Sequence, residues 1–274
     1  MNILVGILTS RDVSKLKRCI ESVLPQTDKV VVVCNTLDFS YAEEATQLAN
    51  SYGLKCVVTE SNGTPGKGKN SLKDYFLTTE FTHLIPVDGD DFLLPNAVEI
   101  ISNIVESKNP DVIGLIDGLV MLGGEIMTAK EWQEHEVLFQ RSVDNTEARN
   151  LKRLNLHIAK IRRISTEYDN FFNRFVLLSR EATSHINYNE TLTGAEDIKQ
   201  SFLFKLMQQE GKINYLILSS QNIYMYDVTD MGACFAVCKT DLSIESKTFW
   251  DGITSELINK SQSFQLELVY DYDI

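Results

Sequence analysis

The sequence has no long apolar run and no surplus of positive charge. Its 274 residues are 43% hydrophobic, yet no stretch reaches the roughly 18 consecutive apolar residues of a membrane span. Its 26 Lys and Arg against 38 Asp and Glu give a net charge of −12, which excludes a general binder of nucleic-acid backbones. No basic residues precede the first apolar run, residues 3–5, as they would in a secretion signal. We therefore expect a globular cytoplasmic protein without a transmembrane segment.

Cysteine is scarce and odd in number. Of the five cysteines, Cys19, Cys34 and Cys56 lie in apolar segments, where a thiol behaves as a small buried hydrophobe. That placement favours a reducing compartment. Cys234 and Cys238 have no matching Cys or His pair, so we interpret them as structural thiols and expect no zinc.

Apolar patterning in the first half alternates between strands and helices. A helix is predicted at residues 13–24, where apolar residues recur at helical spacing, and another from Lys69 to Thr78. Strands are predicted at Ile3–Thr9, Lys29–Cys34, Leu54–Thr59 and His83–Val87, with a further helix at Tyr41–Tyr52 and one whose first turn holds Pro95. Such alternation predicts an α/β fold with a mostly parallel sheet flanked by helices.

The second half is less regular. We expect an apolar stretch at Val112–Leu122, a hairpin turn at Gly123-Gly124, and a basic, helical segment at Glu147–Ser165. Further on, the pattern predicts a strand at Phe175–Leu178, a helix at Glu196–Gln209 stopped by Gly211, a strand at Ile213–Leu218 and a docked helix in the tail.

Three carboxylates, Asp88, Asp90 and Asp91, are crowded at the carboxyl end of a predicted strand. In open α/β sheets ligands bind at this edge. Packed like charges need compensating cations, and Mg²⁺ or Mn²⁺ held by one or two carboxylates and diphosphate oxygens would serve. A turn that caps the following helix would explain the same residues.

The glycine-rich stretch Gly63–Asn70 nearly matches the phosphate-binding pattern of P-loop nucleotidases. Asn70 stands where that pattern requires a hydroxyl residue for magnesium. Three interpretations stay open: a P-loop, a loop whose Lys67 and Lys69 close over a donor's phosphates, and an ordinary surface loop.

A second acidic pair, Glu196-Asp197, begins a predicted helix, where the helix dipole keeps a carboxylate ionised. An ionised carboxylate can accept a proton from an acceptor hydroxyl, although helix capping would explain the pair equally.

Between Arg149 and Arg163 six cations occur without an acidic residue. That stretch is either a solvated helix face or a contact for an anionic acceptor or membrane surface.

Together these motifs resemble the family-two inverting glycosyltransferases of the GT-A fold, from Ile3 to about residue 233. The similar segments, in order, are the opening strand, residues 20–27, residues 30–34, residues 62–70, residues 84–91 with Pro95, residues 194–197, residues 211–213 and Tyr224–Tyr226. The resemblance implies a domain at 1–235, with a donor nucleotide-binding half at 1–110 and an acceptor-binding half at 111–235. Residues 236–274 would form a docked helical tail.

The resemblance also implies site roles. Asp197 would be the catalytic base and Asp90 the ligand of Mn²⁺ or Mg²⁺. As candidates for the acceptor side we add Glu196 and, from the basic stretch, Arg162 and Arg163. Donor binding would fall to Thr9, Arg11, Asp38, Asn62, Lys67, Lys69, Asn70, Asp88 and Gly89, of which Asp38 alone remains for base recognition where the family often shows paired acids.

The expected function is transfer of a sugar from a nucleotide sugar, with UDP-sugar favoured, to an acceptor hydroxyl. The acceptor stays open among a glycan, a lipid-linked sugar, a protein and a modified nucleic-acid base. Two alternatives remain: a nucleotidase using Gly63–Asn70 and a non-catalytic module that binds nucleotide sugars.

Overall fold

The computed structural model describes residues 2–115, 118–122, 124–128, 174–191, 196–218, 222–227 and 267–269. Within these residues no helix is long and apolar enough to cross a membrane. The basic stretch at 149–163, Cys234, Cys238 and the predicted tail helix lie outside the described residues.

The first 115 residues alternate strands and helices, as the sequence predicts. The strands are β1 (Ile3–Thr9), β2 (Val30–Asn35), β3 (Lys55–Thr59), β4 (His83–Asp88), the short β5 (Phe92–Leu93) and β6 (Val112–Leu115). The helices are α1 (Val13–Val23), α2 (Phe39–Ser51), α3 (Pro65–Leu77) and α4 (Ala97–Lys108).

The later residues add further elements. The strands are β7 (Leu119–Leu122), β8 (Glu125–Thr128), β9 (Arg174–Ser179), β10 (Tyr215–Leu218), β11 (Tyr224–Asp227) and β12 (Glu267–Val269). The helices are α5 (Arg180–Ser184) and α6 (Glu196–Gln209).

The main sheet has eight strands in the order β12-β10-β6-β9-β4-β1-β2-β3. All its pairs are parallel except those that β9 makes with β4 and β6, which are antiparallel. A second sheet has four strands in the order β5-β11-β7-β8 and carries the predicted hairpin between β7 and β8. The predicted α/β fold with a mostly parallel sheet is confirmed.

Register aligns the carboxyl ends of three central strands. Leu8 of β1 pairs with Asp88 of β4, and Thr9 pairs with Cys34 of β2. The last residues of these strands therefore lie side by side at one edge of the sheet, which is the edge where α/β folds bind ligands.

Helices cover both faces of the sheet, which explains why its strands are apolar without alternation. On one face, α1, α2 and α4 pack against β1 residues such as Val5 and Ile7. On the other face, α3 packs on Leu4 and Leu84, and α5 and α6 pack beside it through Ala182 and Phe204. Cys19 and Cys34 are buried and Cys56 is half-buried, and all three are free thiols.

Two predicted helix starts are wrong. Helix α3 begins at Pro65 and not at Lys69, because the Thr64 hydroxyl accepts a hydrogen bond from the Lys67 amide and Pro65 suits the first helical position. Helix α4 begins at Ala97 after the N-cap Asn96, so Pro95 precedes the helix. By contrast, the predicted bounds of α6 are confirmed at both ends.

Candidate functional site

The acidic turn after β4 sits directly on the end of β1. The Gly89 amide donates to the carbonyl oxygen of Leu8 at 2.6 Å. A Cβ atom at Gly89 would lie 2.8 Å from the Cβ of Thr9, closer than two carbons can approach. The turn therefore needs glycine here, and it fixes the carboxylates on either side against the sheet edge.

Asp91 is the buried anchor of the turn, with no exposed surface. Its Oδ2 accepts a hydrogen bond from the Tyr224 hydroxyl at 2.7 Å, and its Oδ1 accepts one from the Asp227 amide at 2.9 Å. These bonds tie the acidic turn to β11.

Arg174, the first residue of β9, bridges two of the three carboxylates. Its Nη1 contacts Asp88 Oδ2 closely, and its Nη2 lies 3.1 Å from Asp91 Oδ2. The guanidinium also packs 4.8 Å from the ring centre of Tyr226 and 5.5 Å from that of Tyr224. Because β9 runs antiparallel, its first residue reaches the edge where its neighbours end.

The three carboxyl groups differ in acidity. Burial acts to raise the pKa of Asp88, but the positive charges of Arg174 and Lys69 outweigh it and hold the pKa below its usual value. Partial burial, and then the charge of Asp88, raise the pKa of Asp90. Burial raises the pKa of Asp91 well above its usual value, although the donors around its oxygens fit the ionised form.

The cluster fits a divalent cation bound by two of its carboxylates. One oxygen each of Asp88, Asp90 and Asp91 lie within 4.8 Å of one another. The bonds to Tyr224, Asp227 and Arg174 occupy both oxygens of Asp91, which leaves Asp88 and Asp90. Mg²⁺ and Mn²⁺ sites commonly use one or two carboxylates and complete the shell with phosphate oxygens and water.

Three cationic side chains, two on α1 and one just before it, lie near the same turn. Arg18 donates to the Asp90 carbonyl oxygen at 2.9 Å and to Asp227 Oδ2 at 2.5 Å. Lys15 lies 3.6 Å from that Asp227 oxygen. Arg11, predicted to bind the donor, is half exposed, with its Nη2 4.0 Å from Asp90 Oδ2.

Asp197, the predicted base, lies on α6 and contacts Lys69 of α3. Lys69 Nζ donates to Asp197 Oδ2 at 2.5 Å. One pocket is lined by Asp88, Arg174, Lys69 and Asp197. Its lining also includes the apolar side chains of Leu8, Leu72, Leu84, Pro86 and Ile186. Four elements distant in sequence thus bring both acidic motifs to one cleft.

Residues near the amino end of α3 contact the segment 188–191, which precedes α6 in the sequence. Asn70 is buried and exchanges hydrogen bonds with the backbone of Tyr188, while its amide also donates to Glu190. Lys67 pairs with Glu190 at 3.4 Å, and the Asn62 amide donates to the Glu190 carbonyl. These contacts were not anticipated, and the donor-binding roles of Asn62, Lys67 and Asn70 stay predictions.

Packing at Gly66 argues against the P-loop interpretation of Gly63–Asn70. A Cβ at Gly66 would lie only 2.1 Å from the carbonyl oxygen of Asn189. In a P-loop the backbone of this stretch is open to cradle phosphates. Here protein backbone covers it, and most of the stretch is the first part of helix α3.

Other predicted residues have clear positions. Thr9 is buried and its hydroxyl bonds to that of Tyr41. Asp38 caps α2 by accepting from the Ser40 and Tyr41 amides, a structural role beside its predicted one. Glu196 is the first residue of α6. Arg162 and Arg163 lie outside the described residues.

Sequence reasoning missed the partners of the carboxylates. Arg174 immediately precedes the predicted strand Phe175–Leu178, and Asp227 follows the segment Tyr224–Tyr226 that the family resemblance singled out. Neither forms a motif, because each contributes a single charge. The available signal was position: Arg174 begins a strand of the main sheet at the ligand edge, and Asp227 ends a strand of the second sheet.

No family model matches the sequence, and no curated protein matches it. Solved structures do. S. aureus TarS superposes with a TM-score of 0.52 at 18% identity, covering 97% of this chain and 44% of TarS. TarS 1–349 in complex with UDP-GlcNAc gives 0.53 at 16% identity, with 97% of this chain and 74% of that one covered.

A third likeness is to the mannosyltransferase PcManGT from Pyrobaculum calidifontis in complex with GDP-Man and Mn²⁺. It superposes with a TM-score of 0.53 at 13% identity, covering 96% of this chain and 68% of the mannosyltransferase. This chain spans less than half the length of the first TarS chain. At these identities the likeness concerns the fold: the chain has the GT-A-type glycosyltransferase fold.

Proposed function

We propose that this chain is an inverting glycosyltransferase that moves a sugar from a nucleoside diphosphate sugar to an acceptor hydroxyl. One observation carries the proposal: Asp88 of the acidic turn and Asp197 line the same pocket, with Lys69 bonded to Asp197 between them. Direct displacement at a sugar carbon needs a stabilised leaving group on one side and a base on the other.

The donor diphosphate would lie at the acidic turn. Asp88 and Asp90 would hold Mn²⁺ or Mg²⁺, which supplies charge neutralisation for the departing diphosphate. Arg11 and Lys69 would contribute further positive charge. For the donor itself, the TarS complex with UDP-GlcNAc supports a UDP-sugar, and the GDP-Man complex of the mannosyltransferase makes GDP-sugar the alternative to test.

Asp197 would act as the general base. The acceptor oxygen attacks the anomeric carbon opposite the diphosphate, the bond from that carbon to the diphosphate oxygen breaks, and the acceptor proton passes to Asp197. A carboxylate bonded to an ammonium is a weaker base, so Lys69 would have to exchange Asp197 for the diphosphate when the donor binds. Lys69 would thus pair with Asp197 in the donor-free protein and with the diphosphate in the donor complex.

The first experiment measures donor binding by calorimetry. UDP, GDP, UDP-GlcNAc and GDP-Man would each be titrated with and without Mn²⁺ into wild type, Asp90→Ala and the control Asp28→Ala. Asp28 is exposed and precedes β2, at the opposite edge of the sheet. We expect Mn²⁺-dependent binding of one nucleotide, lost in Asp90→Ala and kept in the control.

Two results would contradict the proposal. Absence of binding by all four nucleotides would remove the donor site. A nucleotide affinity that is the same with and without Mn²⁺, and the same in Asp90→Ala, would favour a module that binds nucleotides without metal-assisted chemistry.

A further inference from the structure

Arg174 contacts four neighbouring side chains. It contacts Asp88 and Asp91 and packs against the rings of Tyr224 and Tyr226, while its side chain is only 20% exposed. Burial opposes its charge, yet the neighbouring carboxylates, Asp88 first, raise the pKa of Arg174, so it stays a cation. It is a fixed positive charge inside the acidic turn.

Within the described residues, positive charge around this turn matches or exceeds negative charge. Lys69, which also acts on Asp88, is paired with Asp197. Besides that pair, the carboxylates of Asp88, Asp90, Asp91 and Asp227 supply at most four negative charges, because burial raises the pKa of Asp91, and they face four cations. The cations are Arg174, Arg18 at 2.5 Å and Lys15 at 3.6 Å from Asp227, and Arg11 at 4.0 Å from Asp90. A bare divalent cation that approaches the turn therefore meets little net negative charge.

Free oxygen atoms are also few. Both oxygens of Asp91 accept hydrogen bonds, and Asp88 Oδ2 is taken by Arg174. Asp90 and the second oxygen of Asp88 remain for a cation. A divalent ion needs about six oxygens in its shell, so most of them must come from water or from a bound ligand.

We propose that Arg174 is a resident counter-ion that makes metal binding depend on the donor. In the donor-free protein Arg174 neutralises Asp88, so Mn²⁺ binds weakly. A nucleoside diphosphate brings both negative charge and oxygen ligands, and Mn²⁺ then binds tightly. The inference rests on the proposed function for the kind of ligand, while the effect of Arg174 on the free protein is independent of it.

The test titrates Mn²⁺ itself into the protein, followed by calorimetry and by the EPR signal of free Mn²⁺. Wild type, Arg174→Met and Arg174→Lys would be titrated alone and then with saturating UDP or GDP. Near-ultraviolet circular dichroism and the melting temperature report whether each variant is folded. The methionine removes the charge at similar size, and the lysine keeps it.

For wild type we expect Mn²⁺ affinity to rise at least tenfold when the nucleotide is present, and nucleotide affinity to rise by the same factor with Mn²⁺. For Arg174→Met without nucleotide we expect Mn²⁺ affinity at least tenfold above wild type, because Asp88 is released and the repelling charge is gone. Arg174→Lys should stay within about threefold of wild type, since it keeps that charge. A purely structural arginine would give no gain in metal affinity.

The inference is overturned if folded Arg174→Met binds Mn²⁺ no better than wild type. It is equally overturned if free wild type already binds Mn²⁺ as tightly as the nucleotide-loaded protein, a comparison that needs no variant to fold. If neither UDP nor GDP binds at all, the proposed function fails, and the comparison of free wild type with free Arg174→Met still decides the role of Arg174.

Discussion

Residues 2–115 and residues 174–227 both reach the cleft, but they bring different groups to it. The first region delivers its carboxylates together, because Asp88, Asp90 and Asp91 share the turn after β4, and the register of β1, β2 and β4 places that turn at the ligand edge. The later region delivers single residues: Arg174 from the start of a reversed strand, Asp197 from a helix and Asp227 from a separate sheet. Groups that would bind the ligand are clustered in sequence, whereas groups that neutralise or position them are dispersed.

The largest effect is expected from Asp197→Asn, a change in the later region. Removing a general base lowers the rate of the chemical step by about 10²–10⁴-fold. Nucleotide binding, which belongs to the first region, should change little. Release of the nucleoside diphosphate from the bound nucleotide sugar would be followed at saturating donor, with water or an added alcohol as acceptor.

Asp28→Asn, at the opposite edge of the sheet, serves as the control for that experiment. If Asp197→Asn works at the wild-type rate while correctly folded, the later region contributes position and charge only, and the base must be sought elsewhere.

A smaller effect is expected at the contact between the two regions. In Gly66→Ala the new Cβ would lie 2.1 Å from the Asn189 carbonyl oxygen, so the backbone before α6 must move. Such overpacking costs about 1–3 kcal/mol of unfolding free energy. In Gly68→Ala, in the same helix, the new Cβ would lie 3.3 Å from flexible Leu8 methyl groups and 3.5 Å from the Asn35 Cβ, so this variant should cost less.

Urea unfolding of both variants measures this difference. Equal stabilities would mean that the 188–191 segment adapts freely, and that α3 does not fix the position of the later region.

The smallest effect concerns a buried cation of the later region. Burial lowers the pKa of Lys205 from 10.5 to about 7. Between these values the unfolded chain binds a proton that the folded chain lacks. The unfolding free energy should therefore rise from pH 7 to pH 8, by up to about 1.4 kcal/mol. At higher pH the thiols of Cys19, Cys34 and Cys56, whose pKa values burial raises, oppose this rise.

Lys205→Met should remove this rise, while Lys212→Met, whose side chain is 62% exposed, should keep it. Denaturant unfolding at pH 7, 8, 9 and 10 measures the slope for each protein. If the unfolding free energy of Lys205→Met still rises with pH, another group binds the proton in the unfolded chain.

Sequence patterns predicted the elements whose signals are local. The apolar spacing of α6 and the stop at Gly211, which has a φ of 68°, gave both ends of that helix. The acidic turn was correctly expected at a strand's carboxyl end, because residues 84–87 are a short apolar run directly followed by Asp88, Asp90 and Asp91. The start of α3 was mispredicted because its glycines outweighed the cap at Thr64 and Pro65.

What the sequence could not provide is pairing between distant charges. Asp90 and Asp91 are adjacent and chemically identical, yet Asp91 is buried with both oxygens bonded and Asp90 is partly exposed. The direction of each side chain depends on Tyr224 and Asp227, which follow more than a hundred residues later. Likewise, the antiparallel course of β9, which brings Arg174 to the turn, has no local signature.

The reversed strand β9 also matters while the protein is being made. β4 pairs with β1 on one side and with β9 on the other, and residues 89–173 separate β4 from β9. At a synthesis rate of about 5–20 residues per second, these residues take roughly 4–17 s to appear. For that time the nascent chain presents β4 as an open strand edge, which is a site for pairing with other chains. Chaperone demand during translation should therefore peak before β9 emerges.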